Sequence, residues 1–339
     1  MAGQLGVGVI GVGTIGRRHA ENLARRIPQA RLVAVADVNP DAARAVAADF
    51  GAGRWFTTAE ELAADRDVEA VIVASSHQGH LEGIEAAARH GKDVFCEKPI
   101  APTLAEADAA IAAVAAAGVR LQIGFMRRYD RAYREAKRRI DAGEIGTPVL
   151  IKATHRNGSL SPSLRPTDAA SVAAGPVGAF IDSAIHDYDN ARWLLGDEVV
   201  EVQAYMASVL EPARPDDLAI STLRFARGGL GDVEVYSTCG YGYDVRTEIA
   251  GTTGTLFIGD LRDADCTIAT AAGVTYAATD HWLHRFADAY LTELDDWATR
   301  TLAGEPPTVT GADGRAALAI AVAATRSAQD GGPVRLPVA

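Results

Sequence analysis

Lysine is almost absent from this chain: of 33 basic residues only Lys92, Lys98, Lys137 and Lys152 are lysines, and the rest are arginines. With its abundant alanine, this is the composition of a GC-rich coding sequence, so a lysine kept at a strand end carries more information than usual. Cysteine is scarce too. Cys96, Cys239 and Cys266 are odd in number and widely scattered, which fits neither a disulfide framework nor a zinc site and points to a reducing cytoplasm. Basic charge is in deficit, with a formal net charge of −11, so the footprint that nucleic-acid phosphates require is missing. No run of 18 apolar residues occurs, and nothing is expected to span a membrane. The apolar start, residues 1–16, lacks a basic leader region and is broken by glycines. It reads as a buried strand and turn, not a secretory signal. Small molecules remain as partners.

What is present is a chain of 339 residues, long enough for two cores. Up to about residue 124, predominantly apolar runs (5–10, 32–36, 70–74, 93–96, 120–123) alternate with helical patterns, the mark of a parallel sheet covered on both faces. Beyond that point strand-like runs follow one another at 149–153, 199–206, 219–225, 230–237, 246–250 and 255–258, with helices returning only near 285–303 and 311–329. The expectation is an N-terminal Rossmann domain, doubly wound around a parallel sheet, over 1–124. A second domain on an open, largely antiparallel sheet is expected over 125–339. Arg127, Arg131, Arg134 and Arg138 read as one solvated helix face, and residues 159–179, rich in Ser, Pro and Ala, as a loop over a site.

The first run ends in Gly11-Val12-Gly13-Thr14-Ile15-Gly16 and a helix follows. Three glycines at this spacing are weak evidence alone; between a strand and a helix they form a dinucleotide fingerprint. Gly11 makes the tight turn, Gly13 admits the pyrophosphate to the backbone, and Gly16 lets helix and strand pack closely. Asp37, followed by Val38, ends the second strand and can accept from the ribose hydroxyls. Its carboxylate would repel a 2′-phosphate and no arginine is adjacent, so NAD is expected over NADP.

Cys96-Glu97-Lys98-Pro99 ends a further parallel strand, at the edge where open α/β sheets bind ligands. A lysine there can donate to a substrate oxygen, although a surface lysine would satisfy the same position. Asp182 and His186 are four apart, and Asp189 follows on the same helical stripe. Such a line of acid and imidazole needs water or a polar ligand; a solvated or capping face is the alternative.

Glu97-Lys98-Pro99 and the glycine fingerprint, with Gly16-Arg17-Arg18-His19-Ala20-Glu21-Asn22, Gly124-Phe125-Met126-Arg127-Arg128-Tyr129-Asp130, His155-Arg156-Asn157, the stretch 180–189, Tyr241-Gly242-Tyr243-Asp244 and the motif at 309–315, resemble the Gfo/Idh/MocA oxidoreductases. Arg-Arg-Tyr-Asp, His-Arg-Asn and Tyr-Gly-Tyr-Asp are similar to the inositol dehydrogenase branch. The resemblance implies a catalytic Lys98, Asp182 and His186, converging beside the nicotinamide. It implies cofactor contacts from Gly11, Gly13, Thr14, Ile15, Gly16, Asp37, Val38, Ser75, His80, Glu97 and Lys98. Arg127, Asn157, Asp189 and Tyr243 are implied as holders of the remaining substrate hydroxyls.

The reaction so implied is oxidation of a secondary ring hydroxyl of a cyclitol to the ketone. His186 takes the hydroxyl proton, Asp182 orients it, and Lys98 stabilises charge on the reacting oxygen. Alternatives are a dehydrogenase of an aminocyclitol, aminoglycoside or pyranose, an NAD-dependent redox glycosidase, and a sensor that binds NAD without turnover. A homo-oligomer, dimer or tetramer, is expected from the open sheet of the family. No metal is expected: His77 and His80 have no third ligand in the sequence nearby.

Overall fold

Strands buried on both faces must be apolar at nearly every position, and the central runs at 5–10 and 70–73 meet that demand throughout. The computed structural model describes residues 3–158, 178–209 and 218–337. Its first sheet has β1 (Leu5–Ile10), β2 (Ala30–Ala36), β3 (Arg54–Phe56), β4 (Ala70–Val73), β5 (Asp93–Glu97) and β6 (Leu121–Gly124). Every residue of β1 and of β4 is buried. The strands run in the order β3-β2-β1-β4-β5-β6, and all their pairings are parallel. The crossover helices are α1 (Thr14–Arg25), α2 (Pro40–Phe50), α3 (Ala59–Ala63), α4 (His80–Arg89) and α5 (Leu104–Ala117). Local chemistry starts them where the sequence says: Asn39 caps α2 through its side-chain oxygen ahead of Pro40, and Thr103 caps α5 through Glu106.

Register decides what this sheet presents. Ile10 lies opposite both Ala36 and Val73, and Val73 lies opposite Cys96. The carboxyl ends of four adjacent strands are therefore level, and Gly11, Asp37, Ala74-Ser75 and Glu97-Lys98 leave the sheet at one edge. The switch point, where the strand order reverses, is between β1 and β4, the place where such sheets hold a dinucleotide.

The second sheet has seven strands in the order β12-β11-β7-β10-β9-β8-β15. They are β7 (Pro148–Gly158), β8 (Val199–Ala207), β9 (Leu218–Phe225), β10 (Leu230–Cys239), β11 (Asp244–Gly251), β12 (Thr255–Ile258) and β15 (Val334–Arg335). It is mixed and largely antiparallel; the pair β7–β10 is parallel. Strand β9 alternates exposed and buried at every step, as a sheet with one covered face requires. Helices α6 (Arg131–Asp141), α7 (Ile185–Leu195) and the short α8 (Trp282–Arg285) belong to the same part of the chain. A hairpin, β13 (Arg262–Thr270) with β14 (Gly273–Ala278), forms a separate two-stranded sheet that the sequence reading did not anticipate.

Two compact units result: Met1–Tyr129 with Asp288–Leu318, and Asp130–Ala287 with Ala319–Ala339. The expected boundary at 124 assigned everything after it to one domain, whereas 288–318 returns to the first unit. The physical reason is apolar burial. Helix α9 (Ala287–Ala303) puts Leu294, Trp297 and Ala298 into the core that contains Val9, Ile72 and Phe95. Arg120 then fastens the end of that helix, donating to the carbonyls of Thr301 (3.0 Å) and Glu305 (3.0 Å). Helix α10 (Gly311–Asp330) contributes to both units.

The arginine stripe needs one correction. Arg131, Arg134 and Arg138 are exposed on α6, but Arg127 precedes that helix. It lies in the 3-10 turn Met126–Tyr129 and is only 1% exposed.

Candidate active site

The cofactor edge is built from backbone before side chains. Gly11 has φ +83°, and a Cβ there would lie 2.4 Å from the Ser75 backbone. A Cβ on Gly16 would meet the carbonyl oxygen of Gly11 at 1.9 Å, so that glycine is what allows α1 to approach the turn. Gly13 is the opposite case: a Cβ would meet nothing within 4 Å. The open side of the turn is at Gly13, where α1 starts with no side-chain cap. Its first-turn amides are those that a helix offers to an anion. Thr14 is exposed and Ile15 half-buried at that entrance.

Asp37 stands beside the turn. One carboxylate oxygen accepts from the Val12 amide (2.8 Å) and the other from the Asn39 amide (2.9 Å). Each oxygen keeps a lone pair for a ribose hydroxyl. Val38, next to it, is 92% exposed and offers no cation for a 2′-phosphate. These residues fit NAD: an uncluttered glycine turn for the pyrophosphate, and a fixed carboxylate for the adenosine ribose.

At the neighbouring strand ends, Ser75 follows β4 and Glu97-Lys98 closes β5. Lys98 is half-buried and Glu97 buried. The Lys98–Pro99 peptide is cis. His80 is buried at the start of α4, with Nδ1 2.7 Å from the Pro99 carbonyl and Nε2 3.2 Å from that of Ser75. Both carbonyls only accept and a neutral ring carries a single N–H, so His80 donates to one of them; the shorter contact, to Pro99, ties the start of α4 to the lysine turn. Burial holds its imidazole below the ordinary range, against the opposing pull of those carbonyls. Glu97 in turn meets His19 of α1: His19 Nε2 is 2.7 Å from Glu97 Oε1. His19 was legible only as part of a motif; its partner was not.

In the second unit, α7 is preceded by a π-helical turn, Phe180–Ala184, and Asp182 lies in it, exposed. The expected single α-helical stripe of Asp182, His186 and Asp189 thus holds only from Ile185 onward. A wider π turn displaces Asp182 from the spacing an α-helix would give, and such turns recur at functional sites. His186 and Asp189 are both buried on α7. Strand β7 runs to Gly158, beyond the expected 149–153, and its alternation puts His155 on the covered side and Arg156 on the other. Arg156 pairs with Glu234. Asn157 Nδ2 donates to Ser183 Oγ (3.3 Å).

A buried pair absent from the expected site, His155 with Asp187, adjoins the expected Tyr243. His155 Nδ1 is 3.3 Å from Asp187 Oδ2, and the Tyr243 hydroxyl is 3.4 Å from His155 Nε2. With Nδ1–H donating to Asp187, Nε2 is left to accept from Tyr243. Tyr243 is thereby oriented from behind, with its ring edge-on to His155 and to Phe286. A period-two reading of residues 153–157 could have found His155. The expected loop 159–179 lies outside the described residues except for Gly178 and Ala179. Among the described residues, no group of three His, Cys, Asp or Glu side chains could hold a metal ion.

Rossmann strand order, a glycine turn at the switch point and a fixed carboxylate beside it define the class, a dinucleotide-binding protein, and the comparisons with known proteins make it an NAD-dependent oxidoreductase. Residues 5–125 match the Gfo/Idh/MocA oxidoreductase family, described as an NAD-binding Rossmann fold, and residues 137–336 match its C-terminal alpha/beta domain. The chain belongs to that family. It is 39% identical to the scyllo-inositol 2-dehydrogenase (NAD(+)) of Bacillus subtilis, over 100% of this chain and 98% of that protein. It is 36% identical to the myo-inositol 2-dehydrogenase of Thermotoga maritima, over 97% of this chain and 98% of the other. Among solved structures it is similar to the myo-inositol dehydrogenase of Lactobacillus casei in complex with NAD(H) and myo-inositol. That likeness has a TM-score of 0.89 and 32% identity, over 99% of this chain and 98% of that one.

Proposed function

We propose that this enzyme oxidises a secondary ring hydroxyl of an inositol to the ketone, with NAD as acceptor. One observation carries the reading. Across a full-length similarity to inositol 2-dehydrogenases, the chain keeps a lysine at the carboxyl end of β5, although lysine is nearly absent elsewhere, and an acid–imidazole set at the start of α7.

NAD, when bound, supplies the hydride acceptor, and Gly11, Gly13, Thr14, Ile15, Gly16, Asp37 and Val38 hold its adenosine and pyrophosphate end. Ser75, His80, Glu97 and Lys98 serve its nicotinamide end. His186, neutral, receives the hydroxyl proton, and Asp182 orients the imidazole and stabilises the cation formed. Lys98 donates to the reacting oxygen and stabilises charge there. Arg127, Asn157, Asp189 and Tyr243 take the other ring hydroxyls. Buried polar donors and acceptors in such numbers suit a ligand that carries a hydroxyl on every carbon.

In this reading the first unit serves the cofactor and also supplies Lys98 and Arg127 to the substrate, while the second supplies the remaining substrate residues and the assembly face. Tyr205, Ile220, Leu230 and Phe257 are exposed on the second-unit sheet, an apolar face that supports a dimer or tetramer. The three cysteines are free, in keeping with a reducing cytoplasm.

A substrate panel tests the proposal. Purified enzyme receives NAD or NADP with scyllo-inositol, myo-inositol, glucose, xylose or an aminoglycoside, and reduced cofactor is followed by absorbance. The expected result is NADH in step with an inositol and little turnover with NADP. Turnover of an aminosugar alone would move the reading to an aminocyclitol dehydrogenase. Release of an aglycone without net NADH would replace it with a redox glycosidase.

A further inference from the structure

The proposed reaction needs Lys98 to present its ammonium from a fixed turn, and the first unit contains a device for fixing it. His19 lies on α1, two residues after the fingerprint helix has passed Arg17, and is 0% exposed; Glu97, on the residue before Lys98, is 6% exposed. Their side chains meet at 2.7 Å, between Glu97 Oε1 and His19 Nε2. The second carboxylate oxygen, Oε2, accepts from the Lys98 amide at 3.3 Å. The rings of Phe95 and Tyr290 stand edge-on to the imidazole at 5.6 and 6.0 Å, so the imidazole is packed among side chains.

The proton on that imidazole can be placed. Among the described residues His19 Nδ1 is buried with no hydrogen-bond partner, so a proton there would be an unsatisfied buried donor, costing about 1–3 kcal/mol. Carried on Nε2, the same proton makes a charge-assisted bond to Glu97. His19 therefore keeps Glu97 engaged, and Glu97 in turn holds the Lys98 amide.

The geometry points to His19 as a positioning residue for turnover, acting on Lys98 through Glu97 and tying the lysine turn to the helix that faces the pyrophosphate. This assignment rests on the role of Lys98 in the proposed reaction. Its test has a kinetic arm and an arm that needs no substrate.

In the first, His19→Ala is expected to lower kcat with inositol roughly 10-fold or more, as small misplacements of a reacting group do. KM for inositol and the calorimetric Kd for NAD should stay within about threefold. His19→Gln, whose amide can still donate to Glu97, should recover most of the loss. Should the alanine variant not fold, His19→Asn, too short to reach Glu97, takes its place. In the second arm, nitrogen-15 lysine labelling gives one backbone amide signal for each of four lysines. The Lys98 signal should move in His19→Ala and return in His19→Gln, while Lys92, Lys137 and Lys152 stay. An unmoved Lys98 amide, an unchanged kcat, or a loss shared with NAD affinity and not rescued by glutamine would overturn the assignment. If the wild-type enzyme oxidises no inositol, the functional reading fails, and the labelled amide still decides the role of His19.

Discussion

Compare how the two units hold their functional groups. In the first, side chains at the sheet edge make contacts of 2.7–2.9 Å, Asp37 to the Val12 and Asn39 amides, His80 to Pro99 and His19 to Glu97, beside longer ones of 3.2 Å from His80 to Ser75 and 3.3 Å from Glu97 to the Lys98 amide. In the second, the contacts around the proposed substrate residues are all side chain to side chain, at 3.3–3.4 Å: His155 with Asp187, Tyr243 with His155, Asn157 with Ser183. Asp182 stands exposed on a π turn. The first arrangement suits a ligand that never changes, since it leans on backbone partners and on Gly11 and Gly16, where any added Cβ would clash. The second suits a ligand whose hydroxyl pattern differs among relatives, since each contact is a side chain that can be replaced without moving a strand.

The comparison breaks if chemistry and cofactor binding cannot be separated. His186→Ala removes the proposed base from the second unit and changes no residue of the glycine turn. The expected outcome is a fall in kcat of roughly 10²–10⁴-fold with Kd for NAD, measured by calorimetry, unchanged. A variant that loses both together would show that α7 serves the cofactor as much as the substrate.

The same contrast explains what could be read in advance. The parallel sheet was legible because strands buried on both faces must be continuous apolar runs, and the fingerprint because each glycine answers a local backbone demand, as Gly11 and Gly16 show. Lys98, Asp182 and His186 came from the resemblance and stand as a proposal, and the α-helical spacing read for Asp182 and His186 is interrupted by the π turn. The return of 288–318 to the first unit was not legible, because Leu294 and Trp297 have the spacing of any amphipathic helix and nothing local names the sheet they cover. His155 with Asp187, and His19 with Glu97, escaped for the same reason: such pairs are separated by 32 and 78 residues. The hairpin β13–β14 escaped because its residues are mostly exposed and carry no burial alternation.

A smaller effect sharpens the cofactor side. Asp37→Ala removes the ribose acceptor and also releases the Val12 and Asn39 amides. Hydrogen bonds to charged groups are worth about 1.5–3 kcal/mol, and each 1.4 kcal/mol is tenfold in affinity. KM for NAD should therefore rise roughly 10–100-fold. NADP should gain relative to NAD, because the carboxylate that repels its 2′-phosphate is gone. The check is kcat/KM for both cofactors at saturating inositol; an unaltered preference would remove Asp37 from cofactor selection.

The smallest effect concerns stability. Burial keeps the His80 imidazole below its ordinary range in the folded chain, so the folded state binds a proton less readily than the unfolded one. The stability this group contributes is complete above the unfolded value of about 6.5 and is lost as pH falls below it, with a slope of at most about 1.4 kcal/mol per pH unit. His80→Gln cannot take up the proton, yet its amide can still donate to Pro99. Urea unfolding at pH 7.5 and at pH 5.5 should therefore show a smaller drop in stability for the variant than for the wild type. An equal drop in the two proteins would mean that the clamp on the lysine turn tolerates a charged ring, and that the first unit is less rigidly tuned than its bond lengths imply.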